Sequence, residues 1–303
     1  SPIPKGADAV IMQEDCSSTP GDDNTVRCND SIKPWENIRL KGEDVREGDP
    51  LITAGTRITA GTIGLLAATG HDSVEVGLMP KVGLLSTGSE LVEPPGELQP
   101  GKIYESNRDM LVSLVAKANG LPTPYPIVPD MLEDTVTALE QAFADNDVVL
   151  TSGGVSVGDH DHLKPAIERL GGSLDFWKVA VKPGKPFVLG QVGGKPVFGM
   201  PGNPVSALVT YLLLVRPALL NMQGAAEWRL AKRPGCLVDE LANKGDRRHF
   251  VRVTIDDHGL VRSVGGQRSH MLGSLAKANG LVDLPPGTRL TKGDPVNVQL
   301  IDT

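Results

Sequence analysis

The sequence predicts a multidomain α/β plus β chain. A central three-layer α/β domain with a mostly parallel sheet follows an N-terminal small β unit with a helical connector and precedes a C-terminal β-barrel-like domain. Three observations predict this. Between Lys81 and Leu220, short apolar runs alternate with helical periodicities, as in a sheet covered on both faces. Residues 1–45 and 227–303 lack that alternation and carry short β-like runs set off by turn residues. The chain of 303 residues is also long for one domain. The boundaries read as 1–45 for the small β domain, 46–79 for the connector, 80–226 for the α/β domain and 227–303 for the C-terminal β domain.

The elements follow in order. Ala9 to Met12, Asn24 to Arg27 and Asn37 to Leu40 read as strands, with a Ser/Thr/Pro/Gly/Asp loop at 17–23. A helix from Ala60 to Thr69 stops at Gly70, a strand follows at Ser73 to Val76, and Leu78-Met79-Pro80 reads as a linker. Val82 to Leu85 is an apolar strand. Leu111, Leu114, Val115 and Ala118 recur at helical spacing and put one apolar face on a helix over 108–119. A strand at 125–128, a helix at 133–145, a strand at 148–151 and a helix near 162–170 come next. Strands bracket Pro183-Gly184 and Gly193-Gly194, and a long helix starts at Pro204. The string AKANGL occurs at 116 and again at 276. Both copies read as helix ends, with Gly120 and Gly280 at C′. In the last region Phe250 to Ile255 alternates, Asp257-His258-Gly259 turns, and a short helix lies near 272–278.

Composition excludes some functions. A net charge of −7 argues against a general nucleic-acid binder. The apolar run Ala207 to Leu220 is too short to span a membrane and contains Arg216 and Pro217, so it reads as a core helix. Cys16, Cys28 and Cys236 form no C-x-x-C pair, which suggests free thiols in a reducing, cytoplasmic setting and no structural zinc.

Four segments carry chemistry. Thr151-Ser152-Gly153-Gly154-Val155-Ser156-Val157-Gly158 follows an apolar strand and contains a literal G-x-S-x-G. A nucleophile elbow needs its helix directly after the serine, but Asp159-His160-Asp161 intervene, with Asp161 placed to cap the next helix. A plain glycine turn is the bland alternative. The reading preferred here is an anion nest: Gly153 and Gly154 let backbone N–H groups approach a ligand, and Ser156 adds a hydroxyl. Ser86-Thr87-Gly88-Ser89-Glu90 is a second such loop at a strand end, where open α/β sheets bind ligands. In the third segment Lys178 and Lys182, four apart, share a face if they lie on one strand, and the Pro183-Gly184 turn returns Lys185 beside them. Three ammonium groups so close suit a solvated face or a dianion. In the fourth, Pro201-Gly202-Asn203-Pro204, Asn203 is a good N-cap and Pro204 a good N1 for the long helix. Asp130, Asp159 and Asp161 lie near these loops, and carboxylates of this kind suit Mg²⁺ beside phosphate better than a His-based zinc site.

These segments, in this order, resemble the molybdopterin molybdotransferases, the family that includes gephyrin and the plant two-domain Cnx protein. Gly6-Ala7-Asp8-Ala9-Val10-Ile11-Met12-Gln13-Glu14, Lys41-Gly42-Glu43-Asp44 and Ala54-Gly55-Thr56-Arg57 extend the resemblance over nearly the whole chain. It implies a Mg²⁺-dependent transferase that cleaves adenylated molybdopterin, inserts molybdate into the dithiolene and releases AMP. By motif position it implies catalytic roles for Asp44, Glu90, Asp130, Asp161, Lys178 and Lys182. It places substrate contacts at Thr87, Gly88, Gly153, Gly154, Ser156, Lys185, Pro201, Gly202, Asn203, Pro204 and Ser269, and metal contacts at Glu90 and Asp161. Expected partners are the two substrates, a second copy in a homodimer and other proteins of cofactor biosynthesis, with no nucleic acid and no membrane. The family's D-G-Y-A motif and the roughly one hundred residues around it are absent, so the chain is expected to be a fragment that dimerises less well or works weakly. The competing readings are a molybdopterin adenylyltransferase, which would need only a domain like 80–226, and a gephyrin-like scaffold, which would not need Lys178 and Lys182.

Overall fold

The computed structural model describes residues 2–19, 21–155 and 162–301, and the chain divides into two units. The first comprises residues up to Thr53 together with Ile58–Asp72. It holds an antiparallel hairpin of β1 (Cys16–Thr19) and β2 (Asp22–Cys28) and a helix, α1 (Ala60–Ala68), whose N-cap Thr59 accepts a bond from the Thr62 N–H. The stretches 9–12 and 37–40 are not strands. Single contacts tie them instead, the Val10 N–H donating to the Glu36 carbonyl and the Asn37 side chain to the Val10 carbonyl.

The second unit, Ala54–Arg57 with Ser73–Thr303, contains the α/β domain and the barrel. No strand forms at 73–76. In order it runs β3 (Lys81–Ser86), β4 (Leu91–Val92), β5 (Ile103–Tyr104), α2 (Asn107–Lys117), β6 (Leu121–Pro124), α3 (Leu132–Asp145), β7 (Val148–Ser152) and α4 (Leu163–Arg169). Then come β8 (Ser173–Lys178), β9 (Val181–Lys182), β10 (Pro186–Val192), β11 (Lys195–Met200), α5 (Pro204–Thr210) and α6 (Arg216–Met222). The barrel region follows with β12 (Lys232–Leu237), β13 (Leu241–Ala242), β14 (Arg248–Ile255), β15 (Leu260–Ser263), α7 (Leu272–Leu275), β16 (Gly280–Leu284), β17 (Arg289–Leu290) and β18 (Pro295–Leu300).

The large sheet has the order β6-β3-β7-β11-β10-β8. Its first four strands are parallel, and β10 and β8 complete it antiparallel. Val148, Val149 and Leu150 are fully buried, as a strand covered on both faces requires. One face packs on α2 and the helix from Pro204, the other on α3 and α4, which gives the three layers. The helix from Pro204 runs 19 residues to Met222, through a π-helical stretch at Tyr211–Val215. That is longer than the apolar run in the sequence and long enough to cross a membrane. More than half of it is buried, and Val205, Val209, Tyr211, Val215 and Leu219 are wholly inaccessible, so it serves as a core helix.

Five strands, β15-β12-β18-β16-β14, close into a barrel because β14 also pairs with β15. Val251, Val253 and Ile255 fill its interior. Phe250 on β14 and Leu281 on β16 belong instead to the core shared with the helix from Pro204. The outer face of the barrel is thus docked on the α/β domain, and that docking brings distant residues to the site.

Candidate functional site

Three loops meet at the carboxyl ends of β3, β7 and β11. The chain goes from β3 to β6 on one side and then returns to β7 on the other, so a topological switch lies between β3 and β7. There the Thr87 N–H donates to the Ser152 carbonyl at 3.0 Å, and the Gly153 N–H to the Met200 carbonyl at 3.1 Å. Gly153 and Gly154 have φ of +92° and +64°, a region open to glycine. A Cβ on Gly153 would stand 2.4 Å from the Thr87 carbonyl oxygen, so this turn has no room for a side chain. The Thr87 hydroxyl is buried with no partner among the described residues. The predicted nest therefore has Thr87, Gly88, Gly153 and Gly154 side by side. Ser156 and Asp161 lie outside the described residues.

Asn107, which the sequence reading missed, ties the loops together. It is buried at the start of α2, and its side-chain amide donates to the Ser152 hydroxyl at 2.8 Å and the Gly202 carbonyl at 2.7 Å. The backbone beneath it is held by Glu105, whose buried carboxylate accepts from the N–H groups of Asn107 and Arg108 and from the Ser86 hydroxyl. A carboxylate at a helix N-terminus satisfies donors that otherwise lack partners. Gly202 in turn sits against Gly153, 3.8 Å separating its hypothetical Cβ from the Gly153 Cα.

Beyond Gly202 opens a cleft of ≈ 620 Å³. Of the predicted residues it is lined by Lys182, Lys185, Pro201, Asn203 and Ser269. Gly202 and Pro204 flank it in sequence; Pro204 is the first residue of α5. Asn203 occupies the N-cap position, but its side chain makes no capping bond. Ser269 is held there by its carbonyl, which accepts from the Val205 N–H at 3.1 Å. Four further polar lining residues, Arg247, Gln267, Arg268 and His270, come from the barrel region. Four Lys and Arg side chains thus line the cleft, and its described lining includes no Asp or Glu. In a chain of net charge −7, that local excess of cations suits anionic ligands.

The lysines reach this place differently from the sequence expectation. Lys178 and Lys182 do not share one strand. Lys178 ends β8 in the large sheet, while Lys182 lies on β9, which pairs with β14 of the barrel. The segment crosses between the two domains, because the Arg248 N–H bonds the Ala180 carbonyl and the Val179 N–H bonds the Lys185 carbonyl. Gly184, at φ +118°, fits where a Cβ would meet the Thr210 methyl at 2.5 Å. Lys182 and Lys185 line the cleft and Lys178 does not.

Two buried bases brace the barrel side. Arg252 is 1% exposed and has no carboxylate partner among the described residues; its guanidinium donates to the carbonyls of Gly266 and Arg268. Burial lowers its pKa from the ordinary value. His249 pairs in register with Lys182, and its two ring nitrogens lack partners among the described residues. Burial, then the charges of Lys182, Arg252 and Arg247, push its pKa down to about 4, so it is neutral near pH 7.

Glu90 and Asp130 are not among the residues that line the cleft. The Ser89 N–H donates to Asp130 Oδ2 at 2.8 Å, and the Asp130 N–H to the Ser89 hydroxyl at 3.2 Å. The Glu90 carboxylate folds over Gly88, within 3.0 Å of where its Cβ would be. Three or more His, Cys, Asp or Glu do not gather into a metal cage among the described residues. Magnesium needs no such cage, since it takes one or two carboxylates and draws other oxygens from phosphate and water. The oxygen donors of Glu90 and Asp130, beside the Thr87–Gly153 nest, fit that requirement. Asp44 lies in a turn of the first unit.

Comparison with known proteins accords with this architecture. Residues 1–70 match the family described as "MoeA N-terminal region (domain I and II)". Residues 83–221 match "Probable molybdopterin binding domain", and residues 235–301 match "MoeA C-terminal region (domain IV)". The molybdopterin molybdenumtransferase of Haemophilus influenzae is 39% identical over 287 residues, covering 93% of this chain and 70% of the relative. Molybdopterin molybdenumtransferase 2 of Mycobacterium tuberculosis is 37% identical over 291 residues, with 94% and 71% coverage. The crystal structure of the molybdopterin biosynthesis MoeA protein from Pyrococcus horikoshii OT3 superposes with a TM-score of 0.80 at 33% identity, over 98% of this chain and 73% of that one. With its sheet, closed barrel and N-terminal region all matched in order, the chain belongs to the MoeA family of molybdopterin molybdenumtransferases, transferases of molybdenum cofactor biosynthesis.

Proposed function

We propose that this chain inserts molybdate into adenylated molybdopterin in a Mg²⁺-dependent reaction that releases AMP. The observation that carries the reading is the pairing of a backbone nest with a cleft whose charged lining is all cationic. Each has chemistry suited to one half of the substrate set.

In this reading the Gly154 N–H and the Thr87 hydroxyl hold the phosphate of the pterin substrate. Asn107 fixes the spacing between that nest and Gly202, so phosphate and dithiolene are held at a set distance. Lys182, Lys185, Arg247 and Arg268 attract molybdate, a tetrahedral dianion, and hold it as the dithiolene sulfurs replace its oxygens. Glu90 and Asp161, with Asp130 alongside, would hold magnesium. When bound, it would neutralise charge on the phosphoanhydride oxygens as that bond breaks.

The test supplies adenylated molybdopterin, Mg²⁺ and molybdate and follows AMP. We expect molybdate-dependent AMP release that is lost in Asp44→Ala and Lys182→Ala, both at exposed positions where folding survives. Unchanged turnover in both variants sinks the site assignment. If the wild type releases no AMP but consumes molybdopterin and ATP, the chain is an adenylyltransferase. If it does neither, the scaffold reading stands.

A further inference from the structure

We propose that Cys16 and Cys28 form a reversible disulfide that staples β1 to β2, a modification site independent of the cleft. The two residues are direct cross-strand partners in the antiparallel hairpin. The hydrogen-bond pattern fixes which kind of partner. The Asn29 N–H donates to the Asp15 carbonyl, one residue outside the pair on each strand. In an antiparallel ladder that bond brackets a non-hydrogen-bonded pair, whose Cα atoms stand about 4.5 Å apart with their side chains on one face. Disulfides need Cα atoms roughly 4.4–6.8 Å apart, so the backbone can accept the bridge without moving. The Cys28 thiol is also near enough to Cys16 to raise its pKa.

Access is suited to the chemistry. Cys28 is exposed and Cys16 half-buried, and both are thiols. Partial burial, then the neighbouring Cys28 and Asp15, raise the Cys16 pKa above its ordinary value. Cys28 is therefore the thiol that meets an oxidant, and Cys16 resolves the product. With a small-molecule disulfide such as oxidised glutathione, the Cys28 thiolate attacks one sulfur and expels a glutathione thiolate. The Cys16 thiolate then attacks the Cys28 sulfur of the mixed disulfide and expels the second. Two protein thiols are oxidised, one glutathione disulfide is reduced to two thiols, and two protons pass to the products. Excess reduced glutathione reverses both steps, so the hairpin reports the thiol balance of its surroundings.

The experiment treats the folded chain with oxidised glutathione, blocks remaining thiols with N-ethylmaleimide and digests with trypsin without reductant. Cleavage after Arg27 puts the two cysteines on separate peptides, 6–27 and 28–39. The expected product is those peptides joined and two hydrogens lighter than their sum, with Cys236 outside the linkage. It should form at least about tenfold more in folded protein than in urea-unfolded protein at the same glutathione ratio. Cys16→Ser should instead trap Cys28 as a glutathione mixed disulfide. Cys16 and Cys28 both blocked by maleimide, Cys28 linked to Cys28 of a second chain, or equal linkage in urea would each overturn the proposal.

Discussion

At Gly153 no other residue fits: φ is positive and the Thr87 carbonyl stands 2.4 Å from any Cβ. Gly153→Ala should therefore cost on the order of 1–3 kcal/mol in stability and lower turnover, read by denaturant melts and AMP release. Turnover at the wild-type level would remove the nest from the mechanism. Gly153 was visible as a nest residue because a short Gly-Gly follows an apolar run, a pattern that is local in the chain. Arg252 teaches the opposite lesson. Alternation along Phe250 to Ile255 sends its side chain outward, and outward on a solvated strand means exposed. It is 1% exposed because the outer face of β14 is covered and three carbonyl contacts take its guanidinium. Asn119 shows a smaller local error. The C′ residue of α2 is Asn119 at φ +55°, and the Gly120 N–H closes the Schellman bond to the Val115 carbonyl. In the second AKANGL copy Gly280 opens β16, where a Cβ would overlap Val298.

Among elements, α2 does more than cover the sheet. Its first residue donates to the end of β7 and to the turn after β11, adding side-chain bonds just beyond the ladder that pairs Ser152 with Met200. Asn107→Ala removes both bonds and should cost about 2 kcal/mol. Loosening the spacing between nest and cleft should also raise the KM for adenylated molybdopterin about tenfold or more. Asn107→Asp, which keeps the volume but lacks the donors, should behave no better; recovery in that variant would mean that packing, not hydrogen bonding, was lost. The large sheet was legible element by element, since its buried strands and amphipathic helices repeat at periods a sequence displays. The segment from Lys178 to Lys185 was not. Four-residue spacing reads as one strand, but the chain leaves the sheet after Lys178 and pairs with the barrel at Val181. That pairing partner lies far along the chain, where no local period records it.

At the scale of the α/β–barrel unit, docking creates the cationic cleft and also leaves a histidine buried beside Lys182. Native His249 resists protonation down to about pH 4, whereas an unfolded histidine takes its proton near its ordinary 6.5. Above that value the group has no effect on stability. As pH falls from there to about 4, the unfolded chain binds a proton that the native chain refuses, so stability falls, by up to roughly 3 kcal/mol. Below about 4 the loss levels off. Denaturation midpoints of the wild type should fall more steeply across that window than those of His249→Phe, whose other groups titrate alike; parallel curves would show that His249 is not held neutral. The sequence by itself determined the order of domains, the covered parallel sheet and the strand-end loops, because those rest on contacts between near neighbours in the chain. Only the tertiary structure decided that Arg247, Gln267, Arg268 and His270 join Lys182 and Lys185, and that Lys178 stays outside. A cleft between a sheet and a barrel is made by burying Phe250 and Leu281 against a distant helix, and the free energy of that docking is written in no single segment.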